Sequence, residues 1–540
     1  MIEFENRLPR LKMGDERVGT YNNVEVGFPS ITTTTDPKLG MFIKDLRSSI
    51  MSERALLFVD DKILMVNKNW IRDHVHTMKA MKHFEYNLDS FLNFIIDTQR
   101  EDGQFYELIK QFGDAHCNFV DEDCLIRYPE DNVYLARLEL EADVEYLVVE
   151  GAFYLYQTSG DNEWLKRVLP KLEKGIDYIT SAEKRWDKEH GLVKRPFTID
   201  TWDFEYNRPG WDRRIDDNSR MSIMHGDNSG VYQAMNQLAW FNRRLGNEEK
   251  ALAWEERAEK LKENMFKYLW NGKFFIHQLH LGHNGADNLE SERLSLSNSY
   301  DMNRGVTDVA QARSIIEEYI QRGKKTHLFA EWFTIDPPYE KFGNHTPGSY
   351  VNGAVSPFTA GELCKAAFNN GYEEYGWDIL QRFMKIIERD GKAYFLYYPD
   401  SAPHPDLGPC AWGAAALISA VDEGLAGIFD KGVKYDEIYF APRFPVTYYK
   451  ELRYITGYEV SGTKVDVRYI IKDEGMRYDV YSPANKIDCH IYIPKDKTVK
   501  KVIVDNKEVK FNLTKTGESV YADFETIAAN GTVSMEILFN

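Results

Sequence analysis

The sequence predicts a mainly α-helical protein in which helical hairpins close into a barrel, followed by a C-terminal β-sandwich. Three patterns predict this fold. Apolar residues recur at helical spacing from about residue 73 to 428, two kinds of turn alternate there, and a two-residue alternation begins near residue 430. At 540 residues the chain exceeds one ordinary domain and can bury a large core.

The N-terminal region, residues 1–65, is predicted to form an arm and a short β-hairpin. Residues 1–40 are rich in turn-forming residues, which is typical of a segment that wraps another domain. Residues 55–67 have the pattern of a hairpin. The predicted barrel domain follows over residues 66–428, and its first long helix carries apolar residues at helical spacing: Met78, Met81, Leu88, Leu92 and Ile95.

Two kinds of turn alternate in the helical region. In tight turns a glycine ends one helix and acidic residues begin the next, at Gly160, Gly246 and Gly371. In looser turns a glycine separates a charged helix end from an extended aromatic stretch, at Gly103, Gly272 and Gly391. Stacked hairpins with short connections on one rim and long loops on the other produce this alternation. A tetratricopeptide solenoid would keep a period of about 34 residues, so the unequal spacing favours a closed barrel.

Residues 429–540 have the pattern of a β-sandwich. Residues 465–469 and 490–493 alternate as strands, and residues 532–539 form the last strand of the series. The sequence Asp-Asn-Lys at residues 505–507 predicts a hairpin turn. We expect this region to have a structural role.

Composition and charge limit the partners. The net charge of −18 argues against nucleic acid and anionic membranes and favours a small neutral ligand. Five scattered cysteines indicate reduced thiols, and the weak grouping of His116, Cys117 and Cys124 gives no expectation of a metal or cofactor. Neither a signal pattern nor a membrane span is evident, so a cytoplasmic protein is expected unless a leader was removed. The oligomeric state stays open.

Residues 198–211 combine carboxylates with aromatic rings in a loop between two helical regions. Asp200, Asp203 and Glu205 lie among four aromatic residues: Trp202, Phe204, Tyr206 and Trp211. Aromatic faces stack on pyranose rings, and carboxylates bind sugar hydroxyls or move protons at a glycosidic oxygen. The segment therefore indicates a sugar site, and a solvated surface loop is the alternative.

Other predicted loops hold residues of the same types. Trp70, Arg72 and Asp73 precede the first barrel helix, where Trp can stack on a sugar and the Arg-Asp pair can bind adjacent hydroxyls. Asp227, in residues 224–229 before another predicted helix, is a further candidate for sugar binding. Helix capping is the alternative role for Asp73 and for Asp227. No nucleophile elbow, Walker loop or dinucleotide motif competes with this interpretation. Later loops add further candidates for sugar binding: Trp332, Tyr350, Asn352 and Trp412.

Helical hairpins followed by a small β-sandwich resemble the six-hairpin glycosidases, an (α/α)6-barrel superfamily that includes trehalases, processing α-glucosidases and α-L-rhamnosidases. The stretch TWDFEYNR is similar to the pattern Gly-Trp-Asp-Phe-Ser-x-Arg, whose Asp is the general acid. WIRDH, SYVNG and CAWGAAALI resemble substrate loops and the closing helix of the superfamily. The resemblance implies an (α/α)6 toroid barrel, Asp203 as the acid, and binding roles for Asp200, Trp202 and Glu205.

The general base is harder to assign. Trehalases and α-glucosidases place a base Glu shortly before the closing helix, and residues 395–400 of this chain contain no Glu. Rhamnosidase-like members take the base from a Trp-Glu segment, and Glu331 in FAEWFT is similar. The resemblance therefore implies Glu331, with Asp400 and Asp406 as alternatives.

The expected activity is exo-acting, inverting hydrolysis of small neutral oligosaccharides or glycosides. Asp203 would protonate the leaving oxygen while Glu331 activates a water on the opposite face. One alternative is a disaccharide phosphorylase, in which phosphate replaces the base. A polysaccharide lyase or sugar epimerase on a helical toroid, with His345, Tyr350 and His404, is another, and a catalytically silent carbohydrate-binding protein is the last.

Overall fold

The computed structural model describes residues 30–32, 37–114, 120–200, 214–282, 287–404 and 407–540. The protein is about 40% helical, with twelve α-helices in these ranges, and ends in a β-sandwich-like region. The helices in chain order are α1 Lys38–Ser52, α2 Ile71–Met81, α3 Ser90–Asp97, α4 Val144–Ser159, α5 Asn162–Ile179, α6 His225–Arg244, α7 Glu248–Leu269, α8 Ser297–Asn303, α9 Val309–Gly323, α10 Pro357–Asn369, α11 Glu373–Asp390 and α12 Ala411–Ser419.

Alternate helices contact one another in a cyclic order. Helices α2, α4, α6, α8, α10 and α12 each contact the next, and α12 contacts α2. We call these six the cyclic helices. The other six, which we call the flanking helices, pack against them: α3 and α5 on α4, α7 on α6, α9 and α11 on α10, and α1 on α12.

Residue patterns explain the two sets. In the cyclic helix α4 every residue except Phe153 and Ser159 is buried, because neighbours cover it on nearly all sides. The flanking helix α5 buries Leu165, Leu172 and Ile176 at helical spacing and turns charged residues outward. A helix with such an apolar stripe needs to be covered by neighbours on one face only.

The alternation of tight and long connections is confirmed. Each cyclic helix from α2 to α10 leads into the next flanking helix through a short connection, and Gly160, which ends α4, has the left-handed φ of 63° that the turn requires. Long connections lead from the flanking helices to the N-terminal ends of the cyclic ones: residues 98–143, 180–224, 270–296, 324–356 and 391–410. We call these converging N-terminal ends the rim.

Two details of the helical prediction were wrong. The first long helix is a hairpin of α2 and α3, because the chain leaves the helix after Met81 and begins a new one at Ser90. The helix α1, which lies between the predicted arm and hairpin, was missed. Its apolar side chains, among them Phe42 and Leu46, are covered by tertiary contacts with α11 and α12.

Short strands also occur before the C-terminal region, in the hairpin and in the long connections. The predicted hairpin is present as β2 Arg54–Val59 and β3 Lys62–Asn67. The long connections contain further small sheets: β4 Leu108–Gln111 with β6 Val133–Ala136 and β5 Leu125–Tyr128, β7 Trp186–Asp187 with β8 Leu192–Val193, β9 Arg195–Pro196 with β10 Met221–Met224 and β11 Gln278–His280, and β12 Leu294–Ser295 with β13 Ile335–Asp336.

The C-terminal region consists of two sheets. Their strands are β14 Ile428–Asp430, β15 Glu437–Phe440, β16 Glu451–Tyr458, β17 Thr463–Lys472, β18 Gly475–Tyr481, β19 Lys486–Ile493, β20 Val499–Val504, β21 Lys507–Val509, β22 Asn512–Thr516, β23 Ser519–Thr526 and β24 Thr532–Phe539. One sheet has the order β16-β17-β18-β24-β20-β21 and the other β14-β15-β19-β23-β22. The strand β1, Ser30–Thr32, pairs antiparallel with the edge strand β16 and so extends this sheet by one strand.

The predicted hairpin turn after residue 504 is confirmed. Asp505 and Asn506 both have positive φ, 47° and 65°, as a turn that matches the strand twist requires. The apolar core is continuous from the helices into both sheets, and residues such as Leu417 and Tyr454 belong to one cluster.

The remaining expectations concern cysteines, metals and membranes. Cys124, Cys364, Cys410 and Cys489 are buried free thiols. Across the described ranges, acidic residues, histidines and cysteines form no group suited to a metal ion. No described helix combines the length and apolar character that crossing a bilayer requires. Cys117 and His116 lie outside the described residues.

Candidate active site

A second apolar cluster lies at the rim, separate from the main core. It is built by the long connections and the first turns of the cyclic helices, and Tyr350 packs at its edge. We call this cluster the aromatic floor; its larger members are Phe197, Leu296, Tyr300, Tyr339, Phe342, Phe358 and Trp412. A floor of rings beside polar loops is the arrangement that sugar-binding sites use.

A buried arginine organises the polar part of the rim. Arg72, the second residue of α2, donates from Nε and Nη2 to Asp143 at the N-cap of α4, and from Nη2 to Glu141. The side chain of Arg72 is 12% exposed, and those of Asp143 and Glu141 at most 2%. The Arg72 charge holds the pKa of Asp143 below its usual value although burial alone would raise it. The charge-assisted hydrogen bonds of Arg72 therefore join helices α2 and α4.

A second arginine extends this network to α6. Arg195 in β9 donates to the same Glu141 at 3.1 Å, and its Nη1 lies 3.5 Å from Oδ1 of Asp227 in the first turn of α6. Neither oxygen of Asp227 accepts a hydrogen bond from any described residue, and Asp227 is 1% exposed. Burial, only partly opposed by Arg195, raises the pKa of Asp227 to about 7. This carboxyl can take up or release a proton near neutral pH.

Asp200 fixes the chain where residues 201–213 begin. Its Oδ2 accepts from the backbone N–H of Ser297 at 3.1 Å, its Oδ1 accepts from the Ser297 hydroxyl, and its own N–H donates to His277 Nε2 at 2.9 Å. Burial works against ionisation, but His225 and the hydroxyls of Ser295 and Ser297 hold the pKa of Asp200 below its usual value. Asp200 has a φ of 53°, which this set of bonds imposes. Trp202, Asp203 and Glu205 lie outside the described residues.

Asp73 and Trp70 lie beside Arg72. Asp73 does not cap α2, because the N-cap is Trp70 and no side chain bonds the helix end there. Burial, partly offset by Arg72 and Lys68, raises the pKa of Asp73 to about 6. Trp70 is half-buried, and the Lys110 ammonium lies 5.5 Å from its ring centroid. Both residues belong to the rim.

Glu331 and Trp332 lie against the flanking helix α11. The Glu331 carboxylate accepts from Tyr375 Oη at 2.6 Å and from Arg382 at 2.7 and 2.9 Å. Although burial opposes ionisation, these donors hold the pKa of Glu331 below its usual value. The Trp332 side chain is fully buried, with Phe383 5.5 Å away between ring centroids. The described contacts give both residues a role in packing α11.

Asn352 and Trp412 lie at the rim, but other protein groups already bond the amide of Asn352 and stack on the ring of Trp412. The Asn352 amide donates to the carbonyls of Tyr339 and His345 and accepts from the N–H of Tyr339, so it holds the loop together. The Trp412 indole stacks on His76 and Phe358 with centroids 4.4 and 4.5 Å apart, and its Nε1 donates to Tyr300. Tyr350 remains half-buried, 4.8 Å from the His345 ring.

Sequence reasoning missed Glu141, Asp143 and Arg195. These residues connect Arg72 to Asp227. In the sequence Glu141 and Asp143 belong to a run of alternating acidic residues at 139–145, and Arg195 follows a lysine. Their signal was weak: Asp143 precedes a helix as any capping residue would, and only the fold brings Arg195 to Glu141.

Several solved glycosidases are similar in fold. The α-L-rhamnosidase from Dictyoglumus thermophilum superposes with a TM-score of 0.58 at 12% identity, over 95% of this chain and 50% of that one. The Streptomyces avermitilis α-L-rhamnosidase complexed with L-rhamnose gives 0.57 at 13%, over 94% and 42%. The GH63 mannosylglycerate hydrolase from Thermus thermophilus, in complex with glucose, gives 0.50 at 13%, over 70% and 99%. The chain thus spans about half the length of the rhamnosidases.

The family comparison adds the function class. Residues 148–402 match the model of the mannosylglycerate hydrolase MGH1-like glycoside hydrolase domain. The match covers just under half of the chain and indicates a glycoside hydrolase domain over these residues. A search of curated proteins gave no match. The resemblance expected from the sequence motifs is confirmed at this level.

Proposed function

We propose that the protein is an exo-acting, inverting glycoside hydrolase for small neutral oligosaccharides or glycosides, and that its cyclic and flanking helices form an (α/α)6 toroid barrel. The observation that carries the proposal is the buried carboxyl of Asp227 beside Arg195 at the rim, whose oxygens receive no hydrogen bond from the described residues. The cyclic order of helix contacts supports the barrel.

Asp203 is our candidate for the general acid. It follows Asp200 by three residues, and Asp200 is anchored to α8 and His277 at the rim. A general acid must reach the glycosidic oxygen, and a second carboxyl about 6.5–9.5 Å away leaves room for the attacking water.

For the general base we prefer Asp227 to Glu331. The Glu331 oxygens already accept three hydrogen bonds from Tyr375 and Arg382, which lowers their basicity and ties them to α11. Neither oxygen of Asp227 is engaged by a described donor and burial raises its pKa, so it is the stronger base when ionised. Six helix N-termini meet at the rim, and their dipoles favour the ionised carboxylate there.

A neutral sugar is the ligand that best fits the rim. Arg72 is saturated by Asp143 and Glu141 on Nε and Nη2, so little unbalanced positive charge remains for an anionic substrate. Asp73 offers a hydroxyl acceptor, and the half-buried rings of Trp70 and Tyr350 offer apolar faces. A cytoplasmic location and a role for Glu205, Trp202 or Tyr350 in binding remain parts of this proposal.

Three variants test the assignment. Asp203→Asn and Asp227→Asn should each lower kcat on aryl glycosides by about 10³-fold or more while far-ultraviolet circular dichroism stays unchanged. Glu331→Gln, the matched carboxylate-to-amide control, should retain most of the activity. Loss of activity in Glu331→Gln with retention in Asp227→Asn would reverse the assignment of the base.

The first-formed product decides the reaction class. Proton NMR of the reducing sugar released early in turnover should show the anomer opposite to that of the substrate. Retention of configuration would contradict the inverting mechanism. Strict dependence of turnover on phosphate would indicate a phosphorylase, and an unsaturated product absorbing in the near ultraviolet would indicate a lyase.

A further inference from the structure

The cyclic helices surround a cavity at the end opposite the rim. Its volume is about 350 Å³, and all six cyclic helices line it together with β14. This volume falls within the range of about 300–1000 Å³ in which small-molecule sites occur. We call it the axial cavity; among its lining side chains each cyclic helix or its C-terminal extension supplies at least one polar group: Lys79, Gln157, Gln237, Asn303, Asn369 and Ser419.

The charged groups around the axial cavity are balanced. Lys79 bonds Glu362, and both Lys82 and Lys365 bond Glu423. A third carboxylate, Glu150, accepts from Tyr154 at 2.6 Å and acts on Lys365 through its charge. Lys431 and Asp430, which also line the cavity, add one charge of each sign. Four lysines thus face four carboxylates, and the cavity offers no net charge to a ligand. An ionic ligand gains little there.

Two amide oxygens in the axial cavity lack a donor among the described residues. Gln237 is 7% exposed, and neither its Oε1 nor the Oδ1 of Asn369 accepts a hydrogen bond from a described residue. A buried acceptor without a donor is destabilising, and native proteins satisfy nearly all of them. The rings of Phe153, Tyr154 and Phe429 line the same cavity and add apolar surface to these acceptors.

We infer that the axial cavity is a binding site for a small neutral polyol, of the size and chemistry of a monosaccharide. Hydroxyl groups can donate to Gln237 and Asn369 and accept from the lysines, while the carbon faces of a sugar ring pack on the aromatic residues. A neutral ligand matches the balanced charges. This site is distinct from the rim, because it lies at the C-terminal ends of the same helices.

Methyl NMR on methionine-labelled protein separates the two ends of the helices. The Met302 methyl group lines the axial cavity, whereas Met224 is the N-cap of α6 at the rim. D-glucose, D-mannose and glycerol are titrated separately into the full-length protein. At least one of them should shift the Met302 signal saturably, and a Met302 signal unmoved by all three would overturn the proposal.

A variant and a matched control assign the shift to the cavity. Gln237→Leu removes one of the two amide acceptors and should weaken binding reported by Met302 about tenfold. Gln381→Leu makes the same change on the flanking helix α11 and should leave binding unchanged. Equal affinity in Gln237→Leu and the wild type, with folding verified by circular dichroism, would overturn the proposal.

The rim is tested separately from the axial cavity. In Asp227→Asn the Met302 response should persist while any Met224 response changes. If glycosidase activity proves absent, the Met302 titration still decides the axial site on its own. Loss of the Met302 response in Asp227→Asn would show that a ligand at the rim causes it, which would also overturn the proposal.

Discussion

At the residue scale, the chemistry of a side chain was easier to infer than its partners. The sequence marked Arg72 and Glu331 as polar loop residues; Glu331 lies in a loop, whereas Arg72 belongs to the first turn of α2. Their neighbours decide what they do: Arg72 joins Asp143 and Glu141 at the rim, whereas Glu331 joins Arg382 on a flanking helix. No local pattern encodes these partners, since each pair is separated by about 50 or more positions.

The hydrogen bonds from Arg72 to Asp143 and Glu141 should not tolerate replacement of the arginine by lysine. An ammonium group cannot bond Asp143 and Glu141 in the same planar geometry, so Arg72→Lys leaves one carboxylate poorly paired. We expect kcat/KM on an aryl glycoside to fall about 10²-fold, as happens when a site residue is slightly misplaced. Arg453→Lys, which alters an Arg-Asp pair on the surface of the C-terminal sheet, is the control and should keep full activity.

Glu331 should prove important for stability. Replacing it in Glu331→Gln removes the charge that pairs with Arg382 and Tyr375 in a site 6% exposed, and we expect a loss of about 1–3 kcal/mol in urea unfolding. Because the folded pKa lies below the ordinary 4.5, the stabilisation is present above that pH and is lost as the pH falls further. Glu318→Gln, in a helical pair with Arg322, should cost under about 0.5 kcal/mol. An equal effect of both variants would contradict this account.

At the scale of elements, spacing predicts helices better than it predicts their ends. Apolar residues continue in helical register from Met78 to Ile95, yet the chain turns back between α2 and α3. The turn lets α3 cover α4 and α5, a tertiary gain that periodicity cannot report. The tight turns were predictable, because a left-handed glycine followed by acids is a local signal.

Small residues set the distance between cyclic helices. A Cβ atom on Gly361 of α10 would lie 2.5 Å from the carbonyl carbon of Ala416 in α12. Gly361→Ala should therefore destabilise the protein by about 1–3 kcal/mol, measured by thermal unfolding. Helix propensity alone predicts that Gly361→Ala would instead stabilise the protein, by up to about 1 kcal/mol. An increase in Tm would contradict the close packing.

At the scale of the molecule, the C-terminal sheets are part of the helical core. Glu373 of α11 accepts from the hydroxyls of Ser519 and Tyr521 in β23. On the other sheet Tyr454 donates to Asp422, which follows α12, at 2.9 Å. These buried bonds and the shared apolar cluster join the helical and C-terminal regions through one continuous core.

The Asp422 carboxyl at this junction should make stability pH-dependent. Burial and the neighbouring Glu423 raise its pKa from 3.8 to about 7. Between these values the folded protein keeps a proton that the unfolded chain has lost, so the free energy of unfolding falls as pH rises, by at most about 1.4 kcal/mol per pH unit. Asp422→Asn should flatten this slope in denaturant titrations from pH 4 to 8. An unchanged slope would contradict the role of Asp422.

The sequence by itself determined that a helical region precedes the C-terminal strands, that tight and long connections alternate there, and which class of enzyme its motifs indicate. These features depend on local periodicity, turn chemistry and motifs. Only the tertiary structure decided which carboxylates meet. It brought Glu141, Asp143, Arg195 and Asp227 to one rim and placed Glu331 against α11. The physical reason is that ion pairs and buried acceptors without a donor depend on how elements pack against one another. The spacing of residues along one element does not specify that packing.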